Sequence, residues 1–148
     1  MDKSHDIKVF NTLIATTLDS VKGYREAAEE SRDTTHARFF GEMAEERSRV
    51  AADLQQQVRS LGGDPETDSS TAGAVHRGWV DLKSAITGRD EKAIVNEVER
   101  GEDYIKAKFE TAMQDDELSA GSRGALEACF ASIRKGHDRA SQMKHAAV

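Results

Sequence analysis

The sequence predicts an all-α domain built as an antiparallel four-helix bundle, with a long crossover carrying a short extra helix between the second and third long helices. Three observations carry that prediction. Apolar residues recur at steps of three and four along four long stretches, which gathers them on one face of each helix. Proline occurs once in 148 residues while Ala, Glu, Arg, Lys and Gln abound, a composition that favours helix over sheet. The stretch between the second and third patterns is far longer than a link between antiparallel neighbours needs, so it suits a strap that returns the chain to run parallel to the second helix.

The first pattern covers residues 4–31, with Ile7, Phe10, Ile14, Leu18, Val21, Tyr24 and Ala28 on its stripe. Ser4 is the expected N-cap, and Asp6 suits the positive end of the helix dipole. Ser31-Arg32-Asp33-Thr34 breaks the pattern and offers Asp33 or Thr34 as the next cap. So short a break sets the first two helices side by side and antiparallel. The second pattern covers 34–61, with Phe40, Met43, Arg47, Val50, Leu54, Val58 and Leu61 facing inward. Gly62-Gly63-Asp64-Pro65 ends it, because glycine suits a left-handed C-cap and proline cannot continue a helix.

A polar loop leads to a shorter pattern over 71–87, carrying Val75, Trp79, Leu82 and Ile86. Trp79 is expected to pack and His76, one turn away, to lie at the surface. After Gly88-Arg89-Asp90 comes the third long pattern, 90–114, with Ile94, Val98, Glu102, Ile105, Phe109 and Ala112 in register. Asp115-Asp116-Glu117 and Ser119 mark the next turn. The last pattern, 119–146, shows Leu126, Phe130, Ile133, His137 and Ala140.

Residues 1–148 fit one domain with a single core. A net charge of −6 with scattered Lys and Arg argues against a nucleic-acid partner, which needs a concentrated basic face. No apolar stretch approaches the roughly 20 residues of a membrane span, and the polar start from Met1 to Asp6 lacks the apolar core of a secretion signal. Cys129 stands alone, so a cytoplasmic location is expected. Flanked by Ala128 and Phe130, it reads as a small buried apolar residue. Glu42, Glu45 and Glu46 read as a solvated face.

Arg47 interrupts an otherwise apolar stripe, and Met43 through Val50 aligns without gaps to Phe130 through His137, which places Arg134 opposite Arg47. The run from Glu26-Ala27-Ala28 to Phe40-Gly41-Glu42-Met43-Ala44-Glu45 resembles the rubrerythrin branch of the ferritin-like proteins, and Gly101-Glu102-Asp103-Tyr104 looks like that branch's third-helix ligand segment. Ferritin-like di-iron proteins place a Glu on each of two helices and Glu-x-x-His on each of the other two. This chain contains no Glu-x-x-His. By the resemblance, ligand positions fall on Ile14, Arg47, Val50, Glu102, Ile105, Arg134 and His137, so only Glu102 and His137 keep a metal-ligating side chain. Gly23 through Glu29, Gly62 through Pro65, His76 through Lys83, Arg100 through Asp103 and His137-Asp138-Arg139 are similar, over nearly the full length, to a bacterial four-helix-bundle family of unknown function in the ferritin-like group. The resemblance implies a ferritin-like fold that has lost its di-iron site.

Guanidinium groups where bridging carboxylates would stand repel divalent cations. A buried arginine needs partners, and carboxylates match its fixed donors. Arg47 and Arg134 are therefore expected to join Glu102 and Glu99 in a core polar network. The expected role is a non-catalytic binding or structural module without a resident cofactor, in a homodimer that buries an outer face of the slender bundle. The alternative is an iron- or manganese-binding protein with peroxide- or oxygen-related redox activity at Glu102 and His137. A third reading has the paired arginines sense a small anion. The helix glycines Gly23, Gly41, Gly78, Gly101 and Gly136 each cost about 0.5–1 kcal/mol against Ala. They are expected to serve close helix approach, or else to leave an anion-sized cavity near Arg47, Arg134 and Glu102.

Overall fold

Asp33 opens the second long helix by accepting hydrogen bonds from the backbone N–H groups of Thr35 and His36 at 2.9 and 3.1 Å, and Asp90 opens a later one through Ala93 N–H at 3.2 Å. These caps bound the helices of a computed structural model that describes residues 3–67, 79, 82–88 and 90–146. The described residues form α1 (Ser4–Glu30), α2 (Thr34–Ser60), α3 (Leu82–Thr87), α4 (Glu91–Met113) and α5 (Ala120–Ala146), and no strand. The chain is all-α.

Most predicted boundaries lie within a residue of those observed. Gly62 takes the left-handed conformation expected after α2, with φ 83°. Ser4 is the first helical residue and not the cap; that position belongs to Lys3, whose side chain caps nothing. The continuous crossover helix expected over 71–87 is interrupted at Trp79. Trp79 stands outside any helix and α3 begins at Leu82, with Leu82 N–H bonded to the Trp79 carbonyl at 3.2 Å. Residues 71–78, with Val75, His76 and Gly78, lie outside the described residues.

α1 packs against α2 and α4, and α5 packs against those same two helices. Polar contacts at the helix ends fix the directions. His5 near the start of α1 meets Asp115 just past α4, and Ser31 past the end of α1 meets Glu91 at the start of α4, so α1 and α4 are antiparallel. His36 near the start of α2 reaches the same Glu91, so α2 and α4 run parallel. Arg139 late in α5 meets Glu42 early in α2, which makes that pair antiparallel. A parallel α2–α4 pair obliges the link between them to travel the length of a 27-residue helix, about 40 Å at roughly 1.5 Å per residue. This explains why some thirty residues separate them.

Two apolar clusters fill the interior. One gathers Phe10, Leu13, Ile14, Val50, Leu54, Ile105, Phe109, Leu126 and Ile133, and the other Tyr24, Phe40, Met43, Trp79, Leu82, Ile94, Val98 and Ala140. On every long helix the sequence passes from one cluster to the other across a short gap. That gap holds Ser20 on α1, Arg47 on α2, Glu102 on α4 and Gly136 on α5, and this layer is the polar centre of the molecule.

Candidate functional site

Arg47 and Glu102 are both fully buried and face each other as a fork on a carboxylate. Nη1 donates to Oε2 and Nη2 to Oε1, each at 2.7 Å. Nη1 also donates to Ser20 Oγ at 3.0 Å, and the Tyr24 hydroxyl donates to Glu102 Oε2 at 2.7 Å. The four residues come from three helices, so the cluster ties α1, α2 and α4 together at one level. Two charge-assisted bonds in parallel are the strongest arrangement available to a neutral pair of ions in an apolar interior. Burial alone would lower the Arg47 pKa; the charge of Glu102, with the hydrogen bonds between them, outweighs it and holds the guanidinium above its ordinary value. Burial, reinforced by the charge of Glu102, drives the Tyr24 hydroxyl well above its ordinary range. Tyr24 is thus a donor and not a proton source near neutral pH. Its ring lies edge-on to Trp79 at 5.1 Å and beneath the Arg47 guanidinium at 5.9 Å.

α5 contributes an absence to this layer. A Cβ at Gly136 would stand 2.6 Å from both Arg47 Nη2 and Met43 Cε. The missing side chain therefore seats the guanidinium, in keeping with the close approach expected of the helix glycines. Gly23 on α1 and Gly101 on α4 play the same part for Trp79. A Cβ at Gly23 would come 2.5 Å from Trp79 Cδ2, and one at Gly101 would press closer still on Cε2. The indole of the crossover is slotted between two helices at their glycines, beside the polar layer.

Two members of the predicted network belong elsewhere. Arg134 is exposed, with its guanidinium over the Phe130 ring at 6.0 Å. The inward stripe of α5 runs through Leu126, Cys129, Ile133, Gly136 and Ala140, and Arg134, one residue past Ile133, turns out of it. The alignment with Arg47 matched residue types but not helix faces. Glu99, one residue past Val98, is likewise turned from the core and bonds Lys144 Nζ at 2.9 Å.

His137 is not joined to Glu102. Its Nε2 lies 2.7 Å from Asp103 Oδ1. Among the described residues no group of three or more His, Cys, Asp or Glu side chains stands together as a metal-ligand set. At the other positions aligned with ligands, Ile14, Val50 and Ile105 are buried in the apolar core. Cys129 is buried, and desolvation, with Asp53 nearby, pushes its thiol up to about 11, which makes it a poor nucleophile near neutral pH.

Sequence patterning missed Ser20 and the hydroxyl of Tyr24, which share the inward face one turn apart, and the glycine seat at Gly136. A short polar residue one turn before Tyr24, at the level of a buried arginine, was the available signal. Asp6 was placed at its own helix dipole but serves another helix. Its carboxylate accepts from Ser119 N–H at 3.3 Å, Ser119 Oγ at 2.6 Å and Ser122 Oγ at 2.8 Å, so it caps α5 from α1.

The fold and its centre define an all-helical protein organised around a buried ion pair. Residues 5–115 match the family described as a domain of unknown function, DUF2383, and the chain belongs to that family. The matched span includes Ser20, Tyr24, Arg47 and Glu102 and stops before α5. No curated protein matches the chain. No described helix is long and apolar enough to cross a membrane.

Proposed function

We propose that the chain is a ferritin-like four-helix bundle in which the Arg47–Glu102 pair occupies the interior position that related bundles give to metal, and that it acts as a structural or binding module without catalysis. The single observation behind this reading is the saturation of Glu102. Both of its carboxylate oxygens are engaged by Arg47, and Oε2 also accepts from Tyr24. A carboxylate so occupied has little left to offer a cation, and a fixed positive charge 2.7 Å away opposes a second one. The parallel course of α2 and α4 after a long crossover supports the ferritin-like assignment.

Such a pair need not add net stability, because desolvation offsets much of the Coulomb gain. Its contribution is register: the fork accepts one alignment of α2 against α4, and Ser20 and Tyr24 hold α1 to the same level. Elemental analysis of the full chain, produced with ample iron and manganese, tests the reading. The expected result is no stoichiometric metal in the wild type. Near-stoichiometric iron or manganese that disappears in Glu102→Gln would sink the proposal.

A further inference from the structure

Among the described residues, the crossover reaches the polar layer through one side chain. Trp79 stands outside any helix yet is only 2% exposed, and its fused rings occupy the space that side chains at Gly23 of α1 and Gly101 of α4 would fill. The indole lies edge-on to Tyr24 at 5.1 Å, and the Tyr24 hydroxyl donates to Glu102 Oε2 at 2.7 Å. Gly23 precedes Tyr24 and Gly101 precedes Glu102, so the seats of the indole are the chain neighbours of two residues that meet in the layer. We propose that the crossover is a latch on the buried ion pair. Docking of Trp79 and closure of the Arg47–Glu102 layer form one cooperative event, and loosening the pair frees the indole to water while the four long helices stay formed.

The two events meet at Tyr24, which is fully buried. Its ring must pack on Trp79 and its hydroxyl must reach Glu102, so one side-chain conformation has to serve both. If Glu102 shifts, the hydroxyl becomes a buried donor without an acceptor, and a ring turned to find one no longer packs the same way against the indole. In the other direction, lifting the indole off two glycines opens the seam between α1 and α4 beside Tyr24 and Glu102. Water admitted there competes for the carboxylate, because hydration is what a buried pair has given up. Coupling free energies are reciprocal, so each event favours the other by the same factor.

The latch can lift alone. α3 has six residues, too few to hold a helix unaided, and it packs on α1 and α4 with Leu82 and Ala85 buried and Ile86 half-buried. The long helices and their turns are tied to one another without it: His5 to Asp115, Asp6 to Ser122, Ser31 to Glu91 and Glu42 to Arg139.

Trp79 is the only tryptophan in the chain, so its fluorescence reads the latch directly. In the wild type its emission should be blue-shifted and its quenching by acrylamide weak. Glu102→Gln should raise the quenching constant several-fold with helical circular dichroism unchanged, and Tyr24→Phe, which keeps the ring, should move it in the same direction. In urea unfolding, the equilibrium penalty of Glu102→Gln should shrink several-fold when Trp79 is already leucine. An indole as shielded in Glu102→Gln as in the wild type would overturn the latch, as would additive effects of Glu102→Gln and Trp79→Leu. A Glu102→Gln chain that loses its helices along with the shielding would overturn it too, since the indole would then leave only with the bundle.

Discussion

Arg47 and Glu102 are each fully enclosed, and each is the other's ion-pair partner, so neither can be removed cheaply. Arg47→Leu leaves a carboxylate in the core with only Tyr24 for a partner, and Glu102→Leu leaves a guanidinium with only Ser20. Each single replacement should cost about 3–5 kcal/mol. The double replacement, with an apolar layer in place of the pair, should cost far less than their sum, measured by urea unfolding. Additive losses would show that the two side chains are not coupled. Tyr24→Phe removes one donor from Glu102 while keeping the ring against Trp79. It should cost about 1–3 kcal/mol, the range for leaving a buried acceptor short of a partner. The loss should vanish when Glu102 is already leucine.

At the scale of the helices, the glycines separate into those with a neighbour in the way and those without. Gly23 and Gly101 face the rigid indole of Trp79, and neither helix can accept a methyl group without moving it. Gly23→Ala and Gly101→Ala should each destabilise by about 1–3 kcal/mol, and Trp79→Leu should remove most of that penalty. Gly41 sits in the same kind of helix interior, yet a Cβ there would meet nothing within 4 Å. Gly41→Ala should therefore stabilise by about 0.5–1 kcal/mol through helix propensity alone. Thermal unfolding of the three variants side by side checks both signs. None of this contrast was legible in the sequence, where all the glycines look alike. What was legible followed from period and punctuation: the long helices, the antiparallel α1–α2 turn at Asp33, the stop at Gly62, and Arg47 and Glu102 as inward-facing charges on their stripes. What was not legible depended on helix rotation. Arg134 and Glu99 each lie one residue, roughly 100° of turn, past a buried position, a difference the spacing of an α-helical stripe barely resolves.

Across the whole molecule, each hairpin turn is stitched by the other hairpin. Glu91 of α4 binds Ser31, Arg32 and His36 at the α1–α2 turn, while His5 and Asp6 of α1 bind Asp115, Ser119 and Ser122 at the α4–α5 turn. The two pairs of helices thus share their end contacts, one set at the α1–α2 turn and the other at the α4–α5 turn. Acid should reveal these contacts. Asp6 is buried, which would raise its pKa, but the hydroxyls of Ser119 and Ser122, the Ser119 N–H and nearby His5 outweigh that and hold it below the ordinary value. Glu91 and Asp115 are depressed as well, chiefly through the donors that bind them. A carboxylate depressed in the folded chain lends stability that is complete above its unfolded value of about 3.9 for Asp or 4.3 for Glu, and that stability drains away as the pH falls through the lower folded value. The urea midpoint should accordingly hold between about pH 5 and 6 and drop steeply below about pH 4. Asp6→Asn keeps the shape of the cap without the charge, so it should lower the midpoint at pH 6 by about 1 kcal/mol equivalent and make the acid limb shallower. An acid limb of unchanged slope in Asp6→Asn would mean that Asp6 does not carry its share of the linkage, and that the α4–α5 turn is held instead by the His5–Asp115 contact and by Arg123.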